Sequence, residues 1–93
     1  MVEKLYSPTD FADNAEIIKA SYAIFTKEIN ERLRVNDGAV TQVQMNYCID
    51  VALQGLRGEK RRVVDAFYDT YTGMWNMMGR EMADEMVIKL LGS

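Results

Sequence analysis

The chain has 93 residues, 48% hydrophobic and 27% charged, with six Gly and one Pro; this composition belongs to one globular domain and excludes disordered and fibrous chains. A chain this short buries only about 60 to 65% of its unfolded surface, so a partner or self-association would supplement its stability. A net charge of −3 and a pI near 4.8 speak against a protein that coats nucleic-acid phosphates.

There is no His, and Cys48 is the single cysteine. An internal disulfide, a Cys/His metal site and a nucleophile–base pair are therefore excluded, and a non-enzymatic protein without cofactor or metal is expected. The N-terminal stretch MVEKLYSPTDF has no apolar signal core. No apolar run reaches the ~18 to 20 residues of a membrane helix, so a soluble, cytoplasmic protein is expected.

The first element opens at Ser7, with Pro8 at the first helical position and Asp10 closing a capping box. Tyr6 and Phe11 take the two staple positions. Phe11, Ala15, Ile18, Tyr22, Phe25, Ile29 and Leu33 then recur on one helical face. The helix is predicted to end near Val35, where NDG supplies turn formers and Gly38 can adopt a left-handed conformation.

The second helix is predicted from Thr41, with Gln44 completing a capping box and Val40 and Met45 as a staple. Its main stripe is Met45, Cys48, Ile49, Ala52 and Leu56, and Val43, Tyr47 and Val51 form a second apolar row on the opposite side. A helix apolar on two faces is expected between two neighbours, here the first and third helices.

GLRGEKRR interrupts the pattern, and a third helix opens at about Glu59. Val64, Phe67, Tyr68, Tyr71, Met74, Trp75, Met78, Met82 and Met86 fall within an arc of about 120° on that helix. Beyond Met82 the phase degrades, and Gly79 predicts a bend or a short fourth helix over 82–91. The architecture read from these elements is a single all-α domain over residues 1–93. It is a small bundle of three long helices with a possible short fourth.

Several residues invite functional readings. The first half of the Met and aromatic stripe reads as core, whereas Met74, Met77, Met78, Met82 and Met86 are flexible and polarisable enough to be shared with a partner. On the first helix Ile17 and Ile24 lie outside the main stripe. They read either as a docking row or as the margin of a wide stripe covered by the second helix. Arg57, Lys60, Arg61 and Arg62 oppose the helix dipole at the start of the third helix, and read as a solvated basic patch or a contact for an acidic partner or phosphate. Asp65 and Asp69 form a solvated acidic face, and Cys48 a small buried hydrophobe. Gly73 occupies a helical position where Ala would be ~1 kcal/mol better, through drift or through the approach of another chain.

The stretch EKRRVVDAFYDTYTGMW resembles the C-terminal part of the AsiA anti-sigma family of T-even-type phages, in its basic pair, apolar pair, Asp65, Phe67, Asp69, Tyr71, Gly73 and Trp75. EII at Glu16–Ile18 and FTKE at Phe25–Glu28 are similar to the family's first helix. The resemblance implies a helical phage protein in the host cytoplasm that binds the promoter-recognising domain of the primary sigma factor and redirects RNA polymerase with a co-activator. It also implies a homodimer when sigma factor is absent. Ile17, Ile18, Ser21, Tyr22, Ile24, Phe25 and Glu28 would then carry partner binding.

Two other classes stay open. One is a structural or accessory subunit of a homo-oligomer, built on the same apolar rows. The other is a helix-turn-helix DNA binder, for which Gln42, Gln44 and Asn46 are the available base readers; Ala39 to Leu56 contains no Arg or Lys, so direct nucleic-acid binding is not expected.

Overall fold

The computed structural model describes residues 6–92. Five helices follow one another: α1 Pro8–Asp13, α2 Ala15–Val35, α3 Gln42–Leu53, α4 Gly58–Met78 and α5 Arg80–Leu91. There is no strand among the described residues. The all-α expectation therefore holds, while the count of three long helices with a short fourth does not, because the first and third predicted helices are each divided.

The first division falls at Asn14 (φ −112°, ψ 23°), which ends α1 and begins α2. Its side-chain Nδ2 donates to the Asp10 carbonyl at 2.8 Å, and its own carbonyl accepts from Ile18 N at 3.0 Å. One residue that lies off the apolar stripe thus caps a carbonyl at the end of α1 and accepts the first hydrogen bond of α2. The start of α1 is as predicted: Ser7 N donates to Asp10 Oδ2 (2.8 Å) and Asp10 N to Ser7 Oγ (3.4 Å).

The second division is at Gly79, whose φ of 96° with ψ of 166° lies in a region that is essentially Gly-only. A straight helix would have brought Glu85 and Lys89 onto the core side. The break re-aims the chain so that Ala83, Val87 and Leu91 are buried instead. The resulting fourth long element is 12 residues and starts at Arg80, two residues before the predicted bend segment.

Two antiparallel hairpins result, α2–α3 and α4–α5, each joined over a short turn and each the most extensive pairing of its helices. The α2–α3 turn uses Asp37 and Gly38 at positive φ, and α3 starts on a capping box in which Gln44 N donates to Thr41 Oγ1 (3.1 Å) and Thr41 N to Gln44 Oε1 (3.0 Å). α1 packs across α5, α4 and the start of α2, inserting Phe11 into the core.

The hairpins meet along an aromatic seam. Phe25 of α2 lies 5.1 Å from the Tyr68 ring and 5.5 Å from Tyr71 of α4, and Phe11 meets Phe67 edge-on at 5.8 Å. Offset and edge-to-face arrangements at these separations are the favourable ones. Ile18, Phe25, Ile29, Phe67 and Tyr71 are fully shielded from solvent, with Cys48 and Val64 beside them.

The hydroxyls in this seam have partners. Ser21 Oγ donates to the Ile18 carbonyl (2.8 Å) and lies 3.2 Å from Tyr68 Oη. Tyr71 and Tyr22 both donate to Asp84 Oδ1, at 2.7 and 2.5 Å, tying α4 and α2 to α5. Arg80 adds a second tie: it donates to Asn30 Oδ1 (2.7 Å), lies 3.6 Å from Asp84 Oδ2, and covers the Trp75 ring at 5.5 Å. Burial, then the hydrogen bond to Asp84, pushes the Tyr22 hydroxyl up to about 12. Burial raises Tyr68 and Tyr71 as well. These hydroxyls are neutral donors throughout the physiological range.

Candidate protein-docking surface

The core direction of α2 is fixed by Ile18, Ser21, Phe25 and Ile29, all buried at spacings of three or four. Of the seven residues expected to carry partner binding, the structure therefore withdraws three: Ile18, Ser21 and Phe25 are sealed against α4, where nothing docked on the folded chain can touch them. Tyr22 is half-buried and committed to Asp84. Glu28 is half-buried, 3.9 Å from Arg32.

Ile17 and Ile24 divide between their two readings. Ile17 is half-buried and packs against the core, as the margin of a wide stripe does. Ile24 is 44% exposed. Beside it the structure adds Ala20 and Ala23, both exposed, so that the outward side of α2 presents Ala20, Ala23 and Ile24 between Glu16 and Lys19 at one end and Lys27 and Glu31 at the other. The alanines were not singled out from sequence, because Ala carries no signal of its own in a helical pattern; only their position between the two isoleucines marks them.

The second apolar row of α3 is also at the surface. The buried side of α3 does lie between α2 and α4, but Val43 is 78% and Tyr47 48% exposed, and Val51 is half-buried. The row is thus an outer face rather than a second packing face. Tyr47 is shielded in part by the Arg32 guanidinium, 4.7 Å from its ring centre. Of the base readers that a DNA-binding reading would use, Gln42 and Asn46 are exposed and bonded to each other (3.2 Å), whereas Gln44 is held in its capping box.

The basic cluster divides by role. Arg61 donates to the Leu53 carbonyl (3.2 Å), satisfying the C-terminus of α3 where a cation is favourable. Arg62 lies 3.7 Å from Glu59. Arg57 and Lys60 are exposed. Arg61 is thus a structural cap, which no local pattern reveals because its partner is eight residues away. Asp65 and Asp69 are exposed, as expected of a solvated face.

Cys48 is buried, and burial raises its thiol above the ordinary range, the opposite of what a nucleophile needs. Among the described residues no group of three or more His, Cys, Asp or Glu could hold a metal ion. No described helix is long and apolar enough to cross a membrane.

No protein-family model matches the sequence, and neither the curated proteins nor the solved structures include a significant match to it.

Proposed function

We propose that this chain is a non-enzymatic helical regulator that binds and occludes a protein partner through the outward face of α2. The observation that carries the reading is Ile24, left open beside Ala20 and Ala23 on the same helix whose other side is sealed into the core. A large apolar side chain flanked by small residues lets a partner helix approach closely, with Glu16, Lys19, Lys27 and Glu31 at the rim to fix its register.

The most concrete form of the proposal is a phage-type anti-sigma regulator, and what supports it is the resemblance carried by residues 59–75. Val63, Val64, Phe67 and Tyr71, which bear much of that resemblance, are core residues. The likeness is therefore one of packing pattern, and the docking face has to be tested separately. Calorimetric titration of the promoter-recognising domain of a bacterial primary sigma factor does both. Wild type should bind, and Ile24→Asp should weaken binding by at least about tenfold, roughly 1.4 kcal/mol, while melting like wild type. Absence of binding by wild type would remove the sigma-factor form; equal binding by Ile24→Asp would remove the α2 face.

A further inference from the structure

The chain has seven methionines, and five of them, Met74, Met77, Met78, Met82 and Met86, cluster around the turn at Gly79. Their depths differ. Met77 is 85%, Met78 58% and Met82 42% exposed, whereas Met74 and Met86 are half-buried and pack against the core. Met45, on α3, is only 3% exposed. Met1 lies outside the described residues.

A thioether is oxidised when a peroxide reaches its sulfur, so exposure orders these side chains. On the exposed tier the product costs the fold little. Met77 and Met78 stand on the last turn of α4 and Met82 on the first turn of α5, and a sulfoxide there replaces an apolar surface group with a polar one in contact with water. On the half-buried tier the cost is higher, because Met74 on α4 and Met86 on α5 would carry a strongly polar S=O into apolar packing. The helix that this would loosen is α5. It starts at Gly79 without a side-chain cap, and it is held by buried Ala83, Val87 and Leu91 and by the Asp84 tie. Cys48 does not compete for the oxidant, since it is buried and its raised thiol leaves the reactive thiolate scarce.

We infer that the α4–α5 turn is a methionine-oxidation site with two stages: hydrogen peroxide first converts Met77, Met78 and Met82 to sulfoxides on the intact fold, and slower oxidation of Met74 and Met86 then loosens α5. In each event the thioether sulfur donates an electron pair to one peroxide oxygen and the O–O bond breaks. The products are the sulfoxide and water, with sulfur oxidised and peroxide reduced by two electrons. Because methionine sulfoxide is restored by its reductases, the first stage changes the polarity of this end of the molecule reversibly. Ile24 takes no part, so the result is independent of the α2 docking face.

The test treats the full chain with hydrogen peroxide, follows each site by peptide mass mapping with the Met1 peptide counted apart, and records a thermal melt at each stage. Met77, Met78 and Met82 should react first, and Met45 at least about tenfold more slowly, because it meets peroxide only when the fold opens. The melting temperature should hold while the exposed tier is oxidised and fall by roughly 4 °C or more once Met74 and Met86 are modified. Two sets of volume-conserving Leu substitutions separate the stages. Combined Met77→Leu, Met78→Leu and Met82→Leu should remove the fast oxygen uptake and keep the later fall, whereas Met74→Leu with Met86→Leu should keep the fast uptake and abolish the fall. Met45 reacting as fast as Met77, a melt that falls with the exposed tier, no fall after Met74 and Met86 are oxidised, or a fall that survives Met74→Leu with Met86→Leu would each overturn the inference.

Discussion

Two halves of one helix, residues 63–71 and 72–78 of α4, share a single apolar stripe and meet different fates. In the first half Val64, Phe67, Tyr68 and Tyr71 are wholly buried, with ring contacts on α1 and α2. In the second half burial fades through Met74 and Trp75 to exposed Met78, and Met77, which lies off the stripe, is exposed as well. Helical spacing thus sets the direction of a side chain; depth depends on which other helices reach that turn. α1 and α2 cover the first half, whereas the second meets α5 folding back from Gly79, with Arg80 over the Trp75 ring, and is only partly covered. Residue type follows the difference, with rigid rings where the packing is fixed and flexible Met where it is open.

The largest effect should come from the sealed half. Phe67→Ala removes a ring that contacts Phe11, Tyr68 and Tyr71, and should cost about 3 to 5 kcal/mol in chemical denaturation, enough to unfold a marginal domain. Met77→Ala, on the open half, should change stability by no more than about 0.5 kcal/mol. If Met77→Ala proved as damaging as Phe67→Ala, the contrast between the halves would be lost.

Next in size is the tie that closes α5 onto α2 and α4. Asp84→Ala leaves the Tyr22 and Tyr71 hydroxyls without their shared acceptor, and a loss of about 1 to 3 kcal/mol is expected by urea denaturation. In the Tyr71→Phe background the same substitution should cost less, because one of the two stranded donors is gone.

The hydroxyls also fix a pH dependence. The fold holds Tyr22 neutral, raising its ionisation from the ordinary 10.0 to about 12 by burial and by Asp84, with Tyr71 on the same acceptor and Arg80 opposing. A raised acid is protonated in the fold where the unfolded chain has already lost its proton. The stabilising contribution is therefore complete below pH 10 and is lost as pH climbs toward 12. Thermal melts across that alkaline window should show a shallower decline for Tyr22→Phe than for wild type.

Smaller changes test the helix ends and the open face. Thr41→Ala should cost about 1 kcal/mol by removing the α3 cap. Gly73→Ala should raise stability by a similar ~1 kcal/mol, since a Cβ there meets nothing. A destabilised Gly73→Ala would mean that the α4 backbone at this point is held by something other than ordinary helix geometry.

These contrasts explain what was legible in the sequence. Ser7 with Asp10 and Thr41 with Gln44 announced two helix starts, because a capping box is a local chemical device spanning four residues. The faces of α2 and α4 were legible for the same reason that they pack, an unbroken 3.6-residue period. The break at Asn14 was not, since Asn14 lies off the stripe and its effect is a side-chain bond to Asp10. Gly79 gave a warning but not a direction, as only the positive φ specifies how the chain turns.

Helical spacing does not separate core from interface on α2, where buried and exposed apolar residues are close neighbours. Ile18 and Phe25 belong to the buried side, and the exposed neighbour Ile24 differs from them by about 100° to 120° around the helix. Two-sided apolarity on α3 does not require two covering helices, since Val43 and Tyr47 remain open.

Methyl-resolved NMR on the chain labelled at Ile and Met tests the division between sealed and open surface most directly. On titration with the promoter-recognising sigma domain, the Ile24 methyl signals should shift or broaden while those of Ile18, Ile29 and Met77 stay in place. Shifts confined to Met77 and Met82, or a uniform change that includes Ile18 and Ile29, would contradict the account.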